Sequence, residues 1–202
     1  MPTYLDVQQR ISLECFDRTD LASEVKNAIQ TTIRSYEKQR LWFNETATAL
    51  ACVVSVETVT VPSDYLFASR LEIVQNSAAT ELFEMPFDMI REMNTQQSVG
   101  LPTYYAEYGP RFYLSNVPDS AYAVNLYYVH KLPALSANTD TNKWLSAAED
   151  VIVYGAAKNV ASKIQDWDLV AKFASLETYF CNEQLYKLRD QRFSTKLRAT
   201  RF

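Results

Sequence analysis

The chain has 202 residues, 48% hydrophobic and 22% charged, with a formal net charge of −4, a globular composition that offers no bulk positive field for nucleic acid or anionic lipid. Its three glycines, Gly100, Gly109 and Gly155, stand far apart, and its one histidine, His130, and scattered Cys15, Cys52 and Cys181 write no phosphate loop, paired-imidazole site, CxxC or HExxH. An odd number of cysteines, Asp6 where an apolar signal core would lie, and no apolar run near the roughly 18–20 residues of a membrane span lead us to expect a soluble cytosolic product without cofactor or metal.

Six of the seven prolines fall between residues 62 and 133, which predicts helical ends around a turn-rich, strand-rich middle. Leu5, Ile11, Leu13 and Phe16 mark a short first helix. The polar break Asp17-Arg18-Thr19-Asp20 supplies an N-cap for a second, from about Asp20 to Arg40, whose stripe is Leu21, Val25, Ala28, Ile29, Thr32, Ile33 and Tyr36.

Thr46 to Val61 is rich in Thr and Val and reads as two short strands with a turn near Ser55 to Glu57. Arg70–Gln75 and Thr80–Glu84 form a hairpin across Asn76-Ser77, and Pro86 opens a short helix from Phe87 to Asn94. Pro102–Tyr108 and Arg111–Ser115 form another hairpin across Gly109-Pro110, and Ala121 to Lys131 alternates as a strand. This predicts an antiparallel set without a βαβ unit.

After a polar loop, Ser146 is an N-cap candidate with Glu149 three residues on. The helix that follows, to about Gln165, carries a face of small residues including Gly155, Ala156 and Ala161, suited to close helix–helix approach. Asp166 to Phe193 reads as a longer helix with the stripe Leu169, Phe173, Leu176, Phe180, Leu185 and Leu188. The expected fold is α+β. Residues 1–45 and 144–193 form one helical bundle, 46–143 an inserted antiparallel β-rich unit of sandwich or barrel type, and 194–202 an extended basic tail.

For chemistry, His130 sits at a strand end with no nucleophile beside it, which is a structural setting. Glu81 with Glu84, Glu92 with Glu107, and Asp166 with Asp168 are carboxylate pairs that 24 acidic residues produce by chance, so a cell-wall hydrolase is the weaker alternative and no catalytic residue is assigned. Thirteen tyrosines supply large contact area with few rotors, which points to interfaces. The subunit contact is expected at Tyr104, Tyr105, Tyr108 and Tyr113. The C-terminal stretch reverses the local charge. Arg192, Phe193, Lys196, Leu197, Arg198, Arg201 and Phe202 combine basic heads with apolar anchors and form an arm able to dock on an acidic partner or, less readily, on DNA.

Several segments in order carry a resemblance. Arg40-Leu41-Trp42-Phe43-Asn44-Glu45 closes a helix just before a Thr-rich strand, followed by Thr60-Val61-Pro62-Ser63-Asp64-Tyr65-Leu66. Next come Leu101-Pro102-Thr103-Tyr104-Tyr105-Ala106, then Leu126-Tyr127-Tyr128 leading to Thr141-Asn142-Lys143-Trp144-Leu145, and finally Tyr154-Gly155-Ala156-Ala157. From about Asp20 to Leu188 the chain resembles the head-to-tail adaptor proteins of tailed bacteriophages, of the podovirus-type adaptor family. The resemblance implies a structural protein of the virion neck, assembled in the host cytoplasm as a dodecameric ring beneath the portal. It would contact the portal protein, neighbouring adaptor subunits and tail or nozzle proteins, with genome DNA passing through the lumen and no membrane involved. A head-completion or stopper protein is the neighbouring alternative. The basic arm is then the expected portal-docking element.

Overall fold

The computed structural model describes residues 1–15, 19–96 and 99–186. The chain divides into a helical unit, Met1–Asn44 with Leu132–Phe202, and a β unit, Glu45–Lys131. The architecture is α+β, with helices from both flanks and an inserted sheet.

In the helical unit, α1 (Tyr4–Glu14) starts on a capping box. The Asp6 amide donates to Thr3 Oγ1 at 3.2 Å and the Thr3 amide to Asp6 Oδ2 at 2.8 Å, satisfying donors that a helix start otherwise leaves open. α2 (Ala22–Tyr36) buries the predicted stripe Val25, Ala28, Ile29, Thr32 and Ile33. It is shorter than expected. A 3₁₀ turn at Thr19–Leu21 precedes it, so Leu21 occupies the N-cap without a side-chain cap bond and Asp20 does not.

The expected cap at Ser146 is also corrected. Asn142 caps instead, its Oδ1 accepting from the amides of Trp144 at 3.0 Å and Leu145 at 3.3 Å to start a short α4 (Lys143–Ala147). Ser146 lies inside that helix and donates back to the Lys143 carbonyl. The long helix α5 (Glu149–Lys163) follows, then α6 (Trp167–Phe180), capped by Asp166, and a π-helical turn at Cys181–Tyr186. Trp144, Phe173, Leu145, Ile152 and Ile29 fill the core, and Phe43 meets Trp144 edge-to-face at 5.0 Å.

Leu132 to Lys143, assigned to the insertion from sequence, belongs to the helical unit. The amides of Tyr4 and Leu5 donate to the carbonyls of Asp140 and Asn138, and Gln30 Nε2 donates to the Leu135 carbonyl at 3.0 Å. The open end of α1 finds its acceptors in this loop.

The β unit is a seven-stranded sheet in the order β1-β7-β3-β4-β5-β6-β2. Its strands are β1 (Glu45–Ala51), β2 (Thr58–Thr60), β3 (Tyr65–Gln75), β4 (Ala78–Glu84), β5 (Tyr104–Tyr108), β6 (Arg111–Leu114) and β7 (Ala123–His130). Two predicted hairpins are present. Asn76 and Ser77, with φ of 50° and 66°, give β3–β4 the mirror-image two-residue turn that matches strand twist, and Gly109, at φ 61°, turns β5 into β6. The strands read from Thr46 to Val61 exist, yet β1 and β2 lie at opposite edges of the sheet.

One pairing departs from the antiparallel expectation. β4 and β5 run parallel, Phe83 opposite Tyr104 and Glu84 opposite Tyr105, with α3 (Phe87–Thr95) as the crossover between them. Pro86, at the N-cap, turns the chain into that helix, whose Ile90 is fully buried, and the returning strand therefore keeps its direction. Register shifts between β3 and β7 at Tyr65/Phe67 and Ala68/Arg70 bend the sheet around a second core of Leu71, Ile73, Leu82, Phe112, Leu114 and Leu126.

Candidate interaction surfaces

Strand alternation sorts the tyrosines expected at a subunit contact. In β5, Tyr104, Ala106 and Tyr108 point to one face of the sheet and Tyr105 and Glu107 to the other. Tyr108, 59% exposed, stacks on Phe87 of α3 with ring centroids 4.3 Å apart and planes at 13°. Tyr113, opposite Ala106 on β6, meets Phe87 edge-on at 4.9 Å and Tyr108 at 6.2 Å. Phe83 on β4, 62% exposed, and Met89 on α3 are also solvent-facing in this part of the sheet.

Tyr105 lies elsewhere. It is 7% exposed, packs edge-on against Phe112 at 5.5 Å, and belongs to the core. Burial first, and then the charges of Glu84, Glu107 and Glu81, push its phenol up to about 12. Of the four, Tyr108 is at the surface, Tyr104 and Tyr113 are half-buried, and Tyr105 is internal. Phe83, Phe87 and Met89 were not singled out from sequence. The available signal was the alternation that puts Leu82 inside and so turns Phe83 outward.

A second apolar surface follows β1. Ala47, Ala49 and Ala51 are exposed on one face of this edge strand, and Val53 (59% exposed), Val54 and Val56 continue outward from it. Natural edge strands are commonly guarded by lysine, proline, bulges or inward charge. Thr46 to Ala51 contains no lysine, proline or charged residue, and its pairing with β7 runs without a register shift.

The helical unit holds a part-buried polar network where the small face of α5 meets its neighbours. The Cys181 thiol donates to the Tyr36 oxygen at 3.2 Å, the Tyr36 hydroxyl donates to Glu177 Oε1 at 2.8 Å, and Lys158 Nζ pairs with Glu177 Oε2. Burial, and then the bonds to Cys181 and Glu177, push the Tyr36 phenol well up. Arg10 bridges Glu149 at 2.9 Å and Asp150 at 2.6 Å, and lies 5.7 Å from the Tyr154 ring. These contacts join helices within the unit.

The remaining titratable candidates have structural surroundings. The His130 ring meets Tyr128 edge-on at 6.4 Å. Glu107 accepts from the Tyr65 hydroxyl, Glu81 pairs with Arg70, and Asp166 caps α6. Among the described residues no group of three or more His, Cys, Asp and Glu is placed to hold a metal, and no helix is long and apolar enough to cross a membrane. Arg192, Phe193, Lys196, Leu197, Arg198, Arg201 and Phe202, the expected portal-docking set, lie outside the described residues.

The family model described as SU10 adaptor protein matches residues 2–199, and the chain belongs to this family of phage head-to-tail adaptors. None of the curated proteins matches it.

Proposed function

From this membership of the adaptor family, we propose that the chain is a structural component of the virion neck that assembles as a closed ring beneath the portal and presents a seat for tail components. The family match over residues 2–199 carries the reading. The exposed aromatic and valine surfaces of the β unit support it, because exposed apolar patches on a folded chain mark contact surfaces.

A ring subunit presents two different faces that fit one another on successive copies. In this reading the Phe87–Tyr108–Tyr113 cluster, with Phe83 alongside, forms part of one face. Tyrosines contribute amphipathic area at little rotamer cost, so they suit a contact that is hydrated before assembly and dry after it. Genome DNA then passes through the lumen as a cylinder of charge, without base readout.

The test is to add purified protein to portal-bearing heads that lack it and to count bound copies by electron microscopy and quantitative gels. A ring of fixed copy number on the portal, followed by tail attachment, is the expected result. Heads that take up no protein, or protein that lyses peptidoglycan without assembling, overturn the reading.

A further inference from the structure

The free edge of β1 and the C-terminal arm have complementary properties. From Thr46 to Ala51 no strand lies beyond β1 among the described residues, and the exposed Val53, Val54 and Val56 extend the apolar character past its end. An uncharged edge of regular register is a template for one more strand.

The arm has the pattern of such a strand. Phe193, Thr195, Leu197 and Ala199 alternate with Ser194, Lys196, Arg198 and Thr200, the period-2 order of a strand with one apolar and one polar face. Phe193 to Ala199 equals the seven residues of β1 in length. Charge agrees as well. Residues 45–131 carry ten acidic and four basic side chains, whereas 187–202 carry six basic and one acidic, so the β unit attracts the arm before any strand pairing forms.

The geometry points to β-strand addition between subunits: the arm around Phe193–Ala199 of one copy pairs along the free edge of β1 in the next. This rests on the ring reading and names the contact that links successive copies. Inner-face side chains Thr46, Thr48 and Leu50 of β1 are followed by Phe193, Thr195 and Leu197 of the arm, extending the apolar row that Leu50 begins against the β-unit core. Outer-face Ala47, Ala49 and Ala51 are then flanked by Ser194, Lys196, Arg198 and Thr200, whose heads stay in water. Fully extended, residues 187–202 reach about 50 Å, more than the roughly 30 Å width of a small domain, which is enough to cross to a neighbour. Each copy gives one arm and receives one, the heterologous arrangement that a closed ring requires.

The experiment uses the full chain on portal-bearing heads. Ala49→Cys is combined with a single cysteine placed in turn at each position from Phe193 to Thr200, and the assembled particles are oxidised and run on non-reducing gels. Native Cys15, Cys52 and Cys181 are buried and give a low background. The expected result is a ladder of cross-linked multimers from cysteines at 194, 196, 198 and 200 and little from 193, 195, 197 and 199. Rings that assemble with monomer bands only, with faster-running monomers cross-linked within one chain, or with cross-linking that shows no alternation overturn strand addition and leave the adaptor reading intact. Failure of the unmodified protein to load onto heads overturns the adaptor reading itself, and strand addition with it.

Discussion

Gly155 of α5 lies so close to Thr32 of α2 that a Cβ at residue 155 would stand 2.6 Å from Thr32 Cγ2 and 2.8 Å from Glu177 Oε1. Three helices meet at this point, and the missing side chain is what lets them meet. Thr32 is β-branched, buried and bonded through Oγ1 to the Ala28 carbonyl, so its methyl has little freedom to move aside.

Gly155→Ala therefore lowers stability although alanine is the better helix former. Propensity favours alanine by about 1 kcal/mol, and overpacking a tight contact costs about 1–3 kcal/mol. A measured loss in thermal unfolding confirms the close approach, whereas a gain in stability contradicts it. Ala156→Leu, at a fully buried position on the same helix, is expected to lose a similar amount.

Glu177 is the second test of that junction. Its side chain is 10% exposed and joins Tyr36 and Lys158, whose own side chain is 32% exposed, so removing the carboxylate leaves a part-buried charge without its partner. Glu177→Ala costs about 2 kcal/mol, less than for a fully buried pair because Lys158 reaches water, and Tyr36→Phe, which removes one hydrogen bond and keeps the ring, about 1 kcal/mol. Urea unfolding of both variants gives the order, and equal losses would show that the charge pair contributes nothing beyond the hydroxyl bond.

Within β5 an exposed tyrosine, Tyr108, and a core tyrosine, Tyr105, can be tested apart. Tyr108→Ala together with Phe83→Ser removes exposed rings and leaves the melting temperature nearly unchanged, while ring occupancy on portal-bearing heads falls. Tyr105→Ala unfolds the β unit by about 3–5 kcal/mol, the usual cost of emptying a large aromatic site. Circular dichroism melts and head-loading gels distinguish the two effects. Normal loading of the Tyr108/Phe83 variant removes this cluster from the interface.

Alkaline pH weakens the fold over a defined window. Burial raises Tyr105 and Tyr128 to about 12 from the ordinary value near 10, and Cys15 and Cys52 to about 11 from near 9. The folded state holds these protons more tightly than the unfolded chain. Their stabilisation is complete below about pH 9 and is lost as pH rises through 10 to 12. Tyrosinate absorbance is expected to show Tyr105 and Tyr128 ionising together with unfolding. An unfolding free energy unchanged from pH 8 to 12 would refute the argument.

At the β3–β4 turn, Ser77 stands at φ 66°, a conformation that costs an L-residue about 1 kcal/mol or more. Ser77→Gly raises stability by roughly that amount, readable as a higher urea midpoint with an unchanged slope.

Local chemistry was enough to determine much of this protein. The proline map, the stripe Val25-Ala28-Ile29-Thr32-Ile33, the small face of α5 and the turns at Asn76-Ser77 and Gly109-Pro110 are written in neighbouring residues, because helix periodicity and positive-φ turns depend on spacings of a few positions. The family resemblance was legible for the same reason, being an ordered series of such segments. Tertiary structure decided the rest. The parallel β4–β5 junction depends on where α3 returns the chain, and the separation of β1 from β2 depends on which strands close the sheet. Which tyrosine is core and which is surface follows from the sheet face that bends around the second core, where Tyr105 joins Phe112 while Tyr108 turns the other way. Asn142 outcompeted Ser146 as a cap because its amide also donates to the Pro133 carbonyl, nine residues away, and a partner at that range is supplied only by the folded chain.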